Sequence, residues 1–400
     1  MFTNSNHRKT KLIGSTVKSS EVAKMPDNFD GVRQLGQSIW FDNISREFIS
    51  SGELQRLIDV GVTGLTSNPT IFQKAISGSA DYDDSLIRLA RDGKNSAEIL
   101  EALAIEDIQA AADLLRPVYD QTDGVDGYAS LEVNPHLSDN TEGTIAEARR
   151  LFSLLDRPNV LIKVPATPEG MPAIRKLIGE GINVNITLIF ALDAYDSVRE
   201  AYISGLEDLT ASGRDPSLVA SVASFFVSRV DTAVDGLLKS KPGGVGVSNE
   251  SLISKAAIAN AKLAYRNFQK AFGSSRFATL KERGARVQRP LWASTSTKNP
   301  ALSDVLYVES LIGKDTVNTL PDVTLAAYLD HGIAAETVTQ GLKIAESTLE
   351  GLASSGVDMG QVASKLLRDG VKSFADSYDE LLRNIEEKKA QLQTSEVSAN

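Results

Sequence analysis

Short runs rich in β-branched and aromatic residues alternate along the chain with longer stretches whose apolar residues recur at helical spacing. The short runs predict strands at 37–42 (QSIWFD), 62–67 (VTGLTS), 128–133 (YASLEV), 160–165 (VLIKVP), 182–188 (INVNITL), 218–224 (LVASVAS), 287–294 (VQRPLWAS) and 316–320 (TVNTL). Periodicity alone does not separate open from closed sheets, but eight such runs fit a closed parallel barrel better. The predicted fold class is therefore α/β, a single (β/α)8 barrel of the TIM type. Asn68-Pro69 puts a capping side chain before a proline suited to the first helical turn. Thr167-Pro168-Glu169 repeats that pattern after the fourth strand, with Glu169 near the positive end of a helix dipole. Gly181 marks a stop for the helical stretch 171–180.

Two connections are too long for a bare strand–helix unit. Residues 69–127 hold at least two helices, one over 96–115, where Ile99, Leu100, Leu103, Ile108, Ala111, Leu114 and Leu115 share helical spacing. Residues 225–286 hold more helix around the turn Lys241-Pro242-Gly243-Gly244, and a long final helix is expected over 360–390. No composition shift divides the chain. One barrel domain over 31–390 is expected, with extra helical insertions and the long C-terminal helix, a polar tail at 391–400 and a disordered leader at 1–30. The segment 1–24 carries five basic residues and one acid, Glu21, without the apolar core of a secretory signal; a transit peptide is the other reading.

Composition then narrows the chemistry. With 52 acidic and 42 basic residues the net charge is -10, so no nucleic-acid surface is announced. No apolar run approaches the ~18 residues of a membrane span. The absence of cysteine removes disulfides, thiolate nucleophiles and cysteine-bound metals, and suits a reducing cytoplasm, the expected location. The three histidines, His7, His136 and His331, are too few for a histidine-rich metal centre, and the last two read as loop or surface residues. Catalysis is left to Lys, Asp, Glu, Thr, Ser or Tyr.

Alternation in the fourth strand puts Leu161, Lys163 and Pro165 on one face, and Val160, Ile162 and Val164 on the other. An ammonium in a strand buried on both sides is costly unless it is paired or readily loses its proton. A lysine that does so is an amine nucleophile able to form a Schiff base with a ketone. A salt-bridged or strand-end lysine remains the alternative. In the fifth strand Asn183, Asn185 and Thr187 alternate with Val184, Ile186 and Leu188, and the polar set should line the barrel near Lys163. Asp42, Thr66, Asn68, Ser130, Glu132 and Ser224 stand at or near the C-terminal ends of other strands, where barrel sites are built.

The segments WFDNISREFI (40–49), GLTSNPTIF (64–72), SLEVNP (130–135), VLIKVPATPEG (160–170), INVNITLIF (182–190) and ASFFVSRVD (223–231) together resemble the transaldolase family, in its order and spacing, over roughly residues 35–330. The length is similar to that of a bacterial subgroup with extra helices. The resemblance implies a Schiff base on Lys163. Glu132 would act as acid and base through an ordered water, and Asp42 would take and return a hydroxyl proton during carbon–carbon cleavage. Asn68, Thr66, Asn185, Thr187 and Ser224 would orient water and substrate hydroxyls, with Phe226 shaping the wall. Arg229 matches a phosphate-binding residue. WASTSTKNP (292–300) departs from the family's pattern of a serine close to an arginine, so Lys298 would replace that arginine, with Ser294 or Ser296 as its hydroxyl partner. Lysine lacks the bidentate fork of arginine.

The implied substrates are small-molecule sugar phosphates. A dihydroxyacetone unit would pass from sedoheptulose 7-phosphate or fructose 6-phosphate to glyceraldehyde 3-phosphate or erythrose 4-phosphate, in the pentose phosphate pathway. No metal and no cofactor is expected, because the metal-dependent class of mechanism needs histidines that are missing; nor is a nucleic-acid or membrane partner. The chain would be a monomer or homodimer. The rival readings are a related Schiff-base aldolase that releases free dihydroxyacetone, and a sugar-phosphate-binding protein without catalysis.

Overall fold

The structure is a computed structural model that describes Met1 and residues 28–240 and 248–399. Most of the expected leader, His7 and the turn Lys241-Pro242-Gly243-Gly244 lie outside the described residues.

Eight parallel strands close in sequence order: β1 (Gln37–Phe41), β2 (Val62–Thr66), β3 (Tyr128–Glu132), β4 (Val160–Pro165), β5 (Val184–Ile189), β6 (Ser221–Phe226), β7 (Arg289–Ala293) and β8 (Thr316–Leu320). β8 returns to β1 with Gln37 opposite Thr316 and Phe41 opposite Leu320. Each coincides with a run expected from the sequence. β6 begins three residues later than its run, because Pro216–Leu218 forms a 3-10 turn first. β5 begins later because Asn183 is used as a bracket. Its Nδ2 donates to Pro158 O (3.0 Å) and Val160 O (3.1 Å), and its Oδ1 accepts from Ala220 N (2.8 Å).

Inside the barrel, Trp40 is fully buried and lies against β2 where Gly64 stands; a Cβ at Gly64 would come within 2.6 Å of the indole. At the N-terminal ends of the strands, Asp126 accepts from Trp40 Nε1 (2.7 Å) and pairs with Arg289 (3.4 Å), whose guanidinium also donates to Ser38 Oγ (2.7 Å). A charged pair therefore closes the bottom of the barrel, and the alternation of β7 was its only trace in the sequence.

The capping signals act as read, with one displacement. Asn68 Oδ1 accepts from Ile71 N (3.0 Å) with Pro69 in the first turn. Thr167 Oγ1 accepts from Gly170 N (3.0 Å), so the helix starts at Gly170 and Glu169 stands just before it. Gly181 follows that helix with φ +76°. The helix expected over 96–115 runs Ser96–Gln121; its start is held by a reciprocal capping box in which Asn95 accepts from Glu98 N (3.0 Å) and Glu98 accepts from Asn95 N (2.9 Å).

The final helix, Met359–Ala399, packs over the C-terminal mouth of the barrel. Thr70 and Ser377 share a hydrogen bond of 2.8 Å, Lys388 pairs with Asp83, and the helix's own Phe374, Leu381 and Ile385 are buried. Gly370 comes so close to Leu188 that an added Cβ would lie 2.9 Å from its side chain. Leu188 itself has φ +62°, at a break in the β5–β6 register between Ile186 and Ile189. That bulge ends the simple alternation and turns the strand's last residues into the mouth region.

Candidate active site

β4 is buried along its whole length, and the inward alternation of Leu161, Lys163 and Pro165 carries Lys163 to the upper interior. The register sets Glu132, Lys163 and Asn185 side by side on three adjacent strands. Lys163 is 5% exposed; its Nζ donates to Ser67 O at 2.8 Å and lies 3.4 Å from Glu132 Oε2. Phe374 of the C-terminal helix presents its ring face 5.9 Å from the same nitrogen. Burial pushes the Glu132 carboxyl up from its ordinary value, and the charge and contact of Lys163 pull it partly back.

Asn185 completes this row. Its Nδ2 donates to Ser130 Oγ (3.2 Å) and its Oδ1 accepts from Ser224 Oγ (2.7 Å). Thr187 is buried with no partner for its hydroxyl among the described residues, and it lines the same cavity as Lys163. Asn183 does not join them: as the bracket described above, it serves the strand starts rather than the mouth. The polar row of β5 thus contributes two residues to the site and not three.

Asp42 stands one residue past β1 and accepts from Thr66 Oγ1 at 2.8 Å. Thr66 Oγ1 is also 2.8 Å from Thr319 Oγ1. Burial raises the Asp42 carboxyl; the Thr66 hydrogen bond and the charges of Lys163 and Arg229 act against that rise. Two carboxyls thus feel the charge of one lysine, each in a different hydrogen-bonding environment.

A cavity of about 750 Å³ opens above Lys163, and Asp42, Thr66, Asn68, Thr187, Ser224, Phe226, Arg229, Ser294, Ser296 and Lys298 all line it. Arg229, in the first turn of helix Ser228–Ser240, lies 5.1 Å over the Phe226 ring and makes no ion pair among the described residues. Burial lowers its proton affinity, against the attraction of Asp42. Ser294 adopts φ +57°, held by contacts of 3.0 Å from Ser228 Oγ to its hydroxyl and from Ser228 N to its carbonyl. Lys298 Nζ donates to Ser296 Oγ at 3.0 Å. Arg229 and Lys298 therefore bring positive charge to the wall of a cavity in an acidic chain, which both candidate serines also line.

Glu132 and Asn185 are the exceptions to the shared lining: Asn185 lies in the hydrogen-bonded row described above, away from the cavity wall, and Glu132 faces elsewhere. It borders a smaller cavity, of about 70 Å³, on the other side of Ser67 and Asn68. Phe374, Ser373, Thr319 and the Ser67 carbonyl were not picked out in the sequence. Thr319 had a signal, the inward parity of β8, but the others come from a distant helix or from backbone.

Both described histidines are peripheral: His136 Nε2 is 2.7 Å from Asp379 Oδ1 and His331 lies between Asp304 and Asp330, all exposed. Among the described residues no three His, Cys, Asp or Glu side chains are grouped to hold a metal ion, and no helix is long and apolar enough to cross a membrane.

A family model described as Transaldolase/Fructose-6-phosphate aldolase matches residues 39–385. The chain is 51% identical over 355 residues to a protein named Transaldolase from Parafrankia sp. (strain EAN1pec), covering 88% of this chain and 95% of that one. It is 50% identical to a Transaldolase of Acidothermus cellulolyticus, covering 89% and 95% of the two chains. A Transaldolase of Trichodesmium erythraeum is 45% identical, with 89% and 96% covered. Set beside a closed barrel with a buried lysine paired to a carboxyl, these matches show that the chain belongs to the transaldolase/fructose-6-phosphate aldolase family and is an enzyme, a transaldolase.

Proposed function

We propose that the reaction is transfer of a dihydroxyacetone unit from sedoheptulose 7-phosphate or fructose 6-phosphate to glyceraldehyde 3-phosphate or erythrose 4-phosphate, through a Schiff base on Lys163, in the pentose phosphate pathway of the cytoplasm. The observation that carries this reading is the placement of Lys163 Nζ, 3.4 Å from Glu132 Oε2, on the wall of a cavity that Arg229 and Lys298 also line.

The amine must lose a proton before it attacks, and Glu132, its proton affinity raised by burial, is positioned to take it. Lys163 then adds to the C2 carbonyl to give a carbinolamine. Glu132 returns its proton to the departing hydroxyl, which leaves as water, and the nitrogen becomes a protonated imine. Asp42 takes the proton of the C4 hydroxyl. The C3–C4 bond breaks, its electron pair moves into the imine to form an enamine, and the aldose phosphate leaves. When the acceptor aldehyde enters, the enamine attacks it and Asp42 gives the proton to the new alkoxide. Arg229 and Lys298, with Ser294 or Ser296, hold the phosphate; Thr187, Asn68 and Ser224 orient hydroxyls and water, and Phe226 walls the cavity.

Borohydride reduction during incubation with fructose 6-phosphate tests the reading. A dihydroxyacetone-sized adduct on Lys163 is expected, and Lys163→Ala should abolish erythrose-dependent exchange with the fold retained. A label on another lysine, or none, overturns it. Release of free dihydroxyacetone at the rate of exchange would instead support an aldolase.

A further inference from the structure

Lys163 borders the large cavity but not the small one, whereas Glu132 borders the small one but not the large. Ser67 and Asn68 form the partition, and the Ser67 carbonyl holds Lys163 Nζ at 2.8 Å. The nucleophile and its carboxylate thus meet at a dividing wall, each with its own outlook. The Glu132 side chain is only 5% exposed, and among the described residues its Oε2 has the Lys163 ion pair at 3.4 Å but no hydrogen bond of full strength, while the residue lines the small cavity. A buried carboxylate oxygen with one long ion pair and no hydrogen bond gains from a water that reaches it. The cavity's ~70 Å³ is enough for a few waters, since roughly 10–15 Å³ measured the same way holds one.

Its outer end is formed by Ala97, an exposed residue in the first turn of helix Ser96–Gln121, and by Tyr378 of the C-terminal helix. Glu101 and Glu147, both tied to Arg150, make that end polar.

We infer that this chamber is a water and proton passage to Glu132, separate from the route taken by the sugar. The inference rests on the imine chemistry proposed above. Each imine formation converts carbinolamine and protonated Glu132 into iminium, carboxylate and one water; each hydrolysis consumes one water in reverse. While a ketose phosphate lies over Lys163 in the large cavity, the Glu132 side is the short way for that water. The chamber lies there, and among its lining residues Ala97 is exposed to solvent, which makes it the rim.

Ala97→Trp plugs the rim from an exposed position. The rate of borohydride-trappable adduct formation with fructose 6-phosphate at Lys163 should fall roughly tenfold, a fraction of what an acid–base group contributes, with KM unchanged within about twofold. Lys94→Trp, on the same surface but off the rim, should trap at the wild-type rate. Trapping by a folded Ala97→Trp variant at the wild-type rate would overturn the inference. Should the Trp variant melt early, Ala97→Met narrows the same opening and is read the same way. Absence of any Lys163 adduct in the wild type would instead overturn the imine reading itself.

Discussion

Asp231 stands two residues beyond Arg229 in the helix that carries that cation to the cavity, and it is 3% exposed. Its carboxylate accepts hydrogen bonds from Ala257 N and from the Tyr307 hydroxyl, both at 2.8 Å, and so ties helix Ser228–Ser240 to its neighbours. Burial is the largest influence on the group and pushes it from 3.8 up to about 6, despite both hydrogen bonds. At about 1.4 kcal/mol for each tenfold change in proton affinity, the difference is worth roughly 3 kcal/mol. The sign follows from linkage. The folded chain holds this proton more tightly than the unfolded chain, so stability falls as pH rises from about 3.8 to about 6. Below that window both states are protonated, and above it the loss is complete. Asp231→Asn removes the titration but keeps an acceptor for Ala257 N, and the Tyr307 hydroxyl can turn to accept from the new amide. Urea unfolding of both proteins across the window gives the stability difference at each pH, which cancels the other carboxyls. That difference should move in the variant's favour by roughly 3 kcal/mol from the acid to the neutral side. A flat difference would refute the reasoning, because it would mean that the carboxyl loses no solvation on folding.

Three further outcomes are expected. Glu132→Gln should slow adduct trapping by roughly a hundredfold or more while KM for fructose 6-phosphate changes little, since general acid–base groups contribute on that scale; an unchanged trapping rate would remove Glu132 from the proton transfers. Arg229→Met should raise KM for phosphorylated ketoses by about tenfold or more, the worth of a charge-assisted hydrogen bond, and leave thermal stability intact because Arg229 has no ion-pair partner among the described residues to strand; an unaltered KM would take the phosphate elsewhere. Gly64→Ala should cost about 1–3 kcal/mol in chemical denaturation, because the new methyl would meet the Trp40 ring at 2.6 Å while Asp126 holds the indole nitrogen at 2.7 Å. Wild-type stability in that variant would show that the indole can shift freely.

The strands were legible because burial on a barrel imposes a period of two, and a run such as VLIKVP leaves one charged residue to be explained. The parity of Lys163, Asn185, Thr187, Thr66 and Ser224 follows from local geometry alone, so their shared aim toward the mouth could be read before any coordinates. Asn183 obeyed the same pattern and yet lies apart from the site, because a residue at a strand's start meets unpaired backbone groups from its neighbours and bonds to them first. The bulge at Leu188 was hidden for a related reason: its left-handed φ occurs where a distant glycine, Gly370, lets the final helix come close.

Lys163 itself divides along this line. The sequence determined that a lysine would stand on the inner face of a buried strand, with polar neighbours on the next one, since both facts depend only on side-chain alternation. Only the tertiary structure decided what the amine meets: the Ser67 carbonyl, reached across 96 residues of chain, the Glu132 carboxylate at 3.4 Å, and the Phe374 ring from the end of the protein. Backbone carbonyls carry no residue signature, and contacts between distant elements are set by packing rather than by spacing. The partition that puts Lys163 and Glu132 on different cavities is likewise a property of how three elements close around one another, so no stretch of sequence contains it.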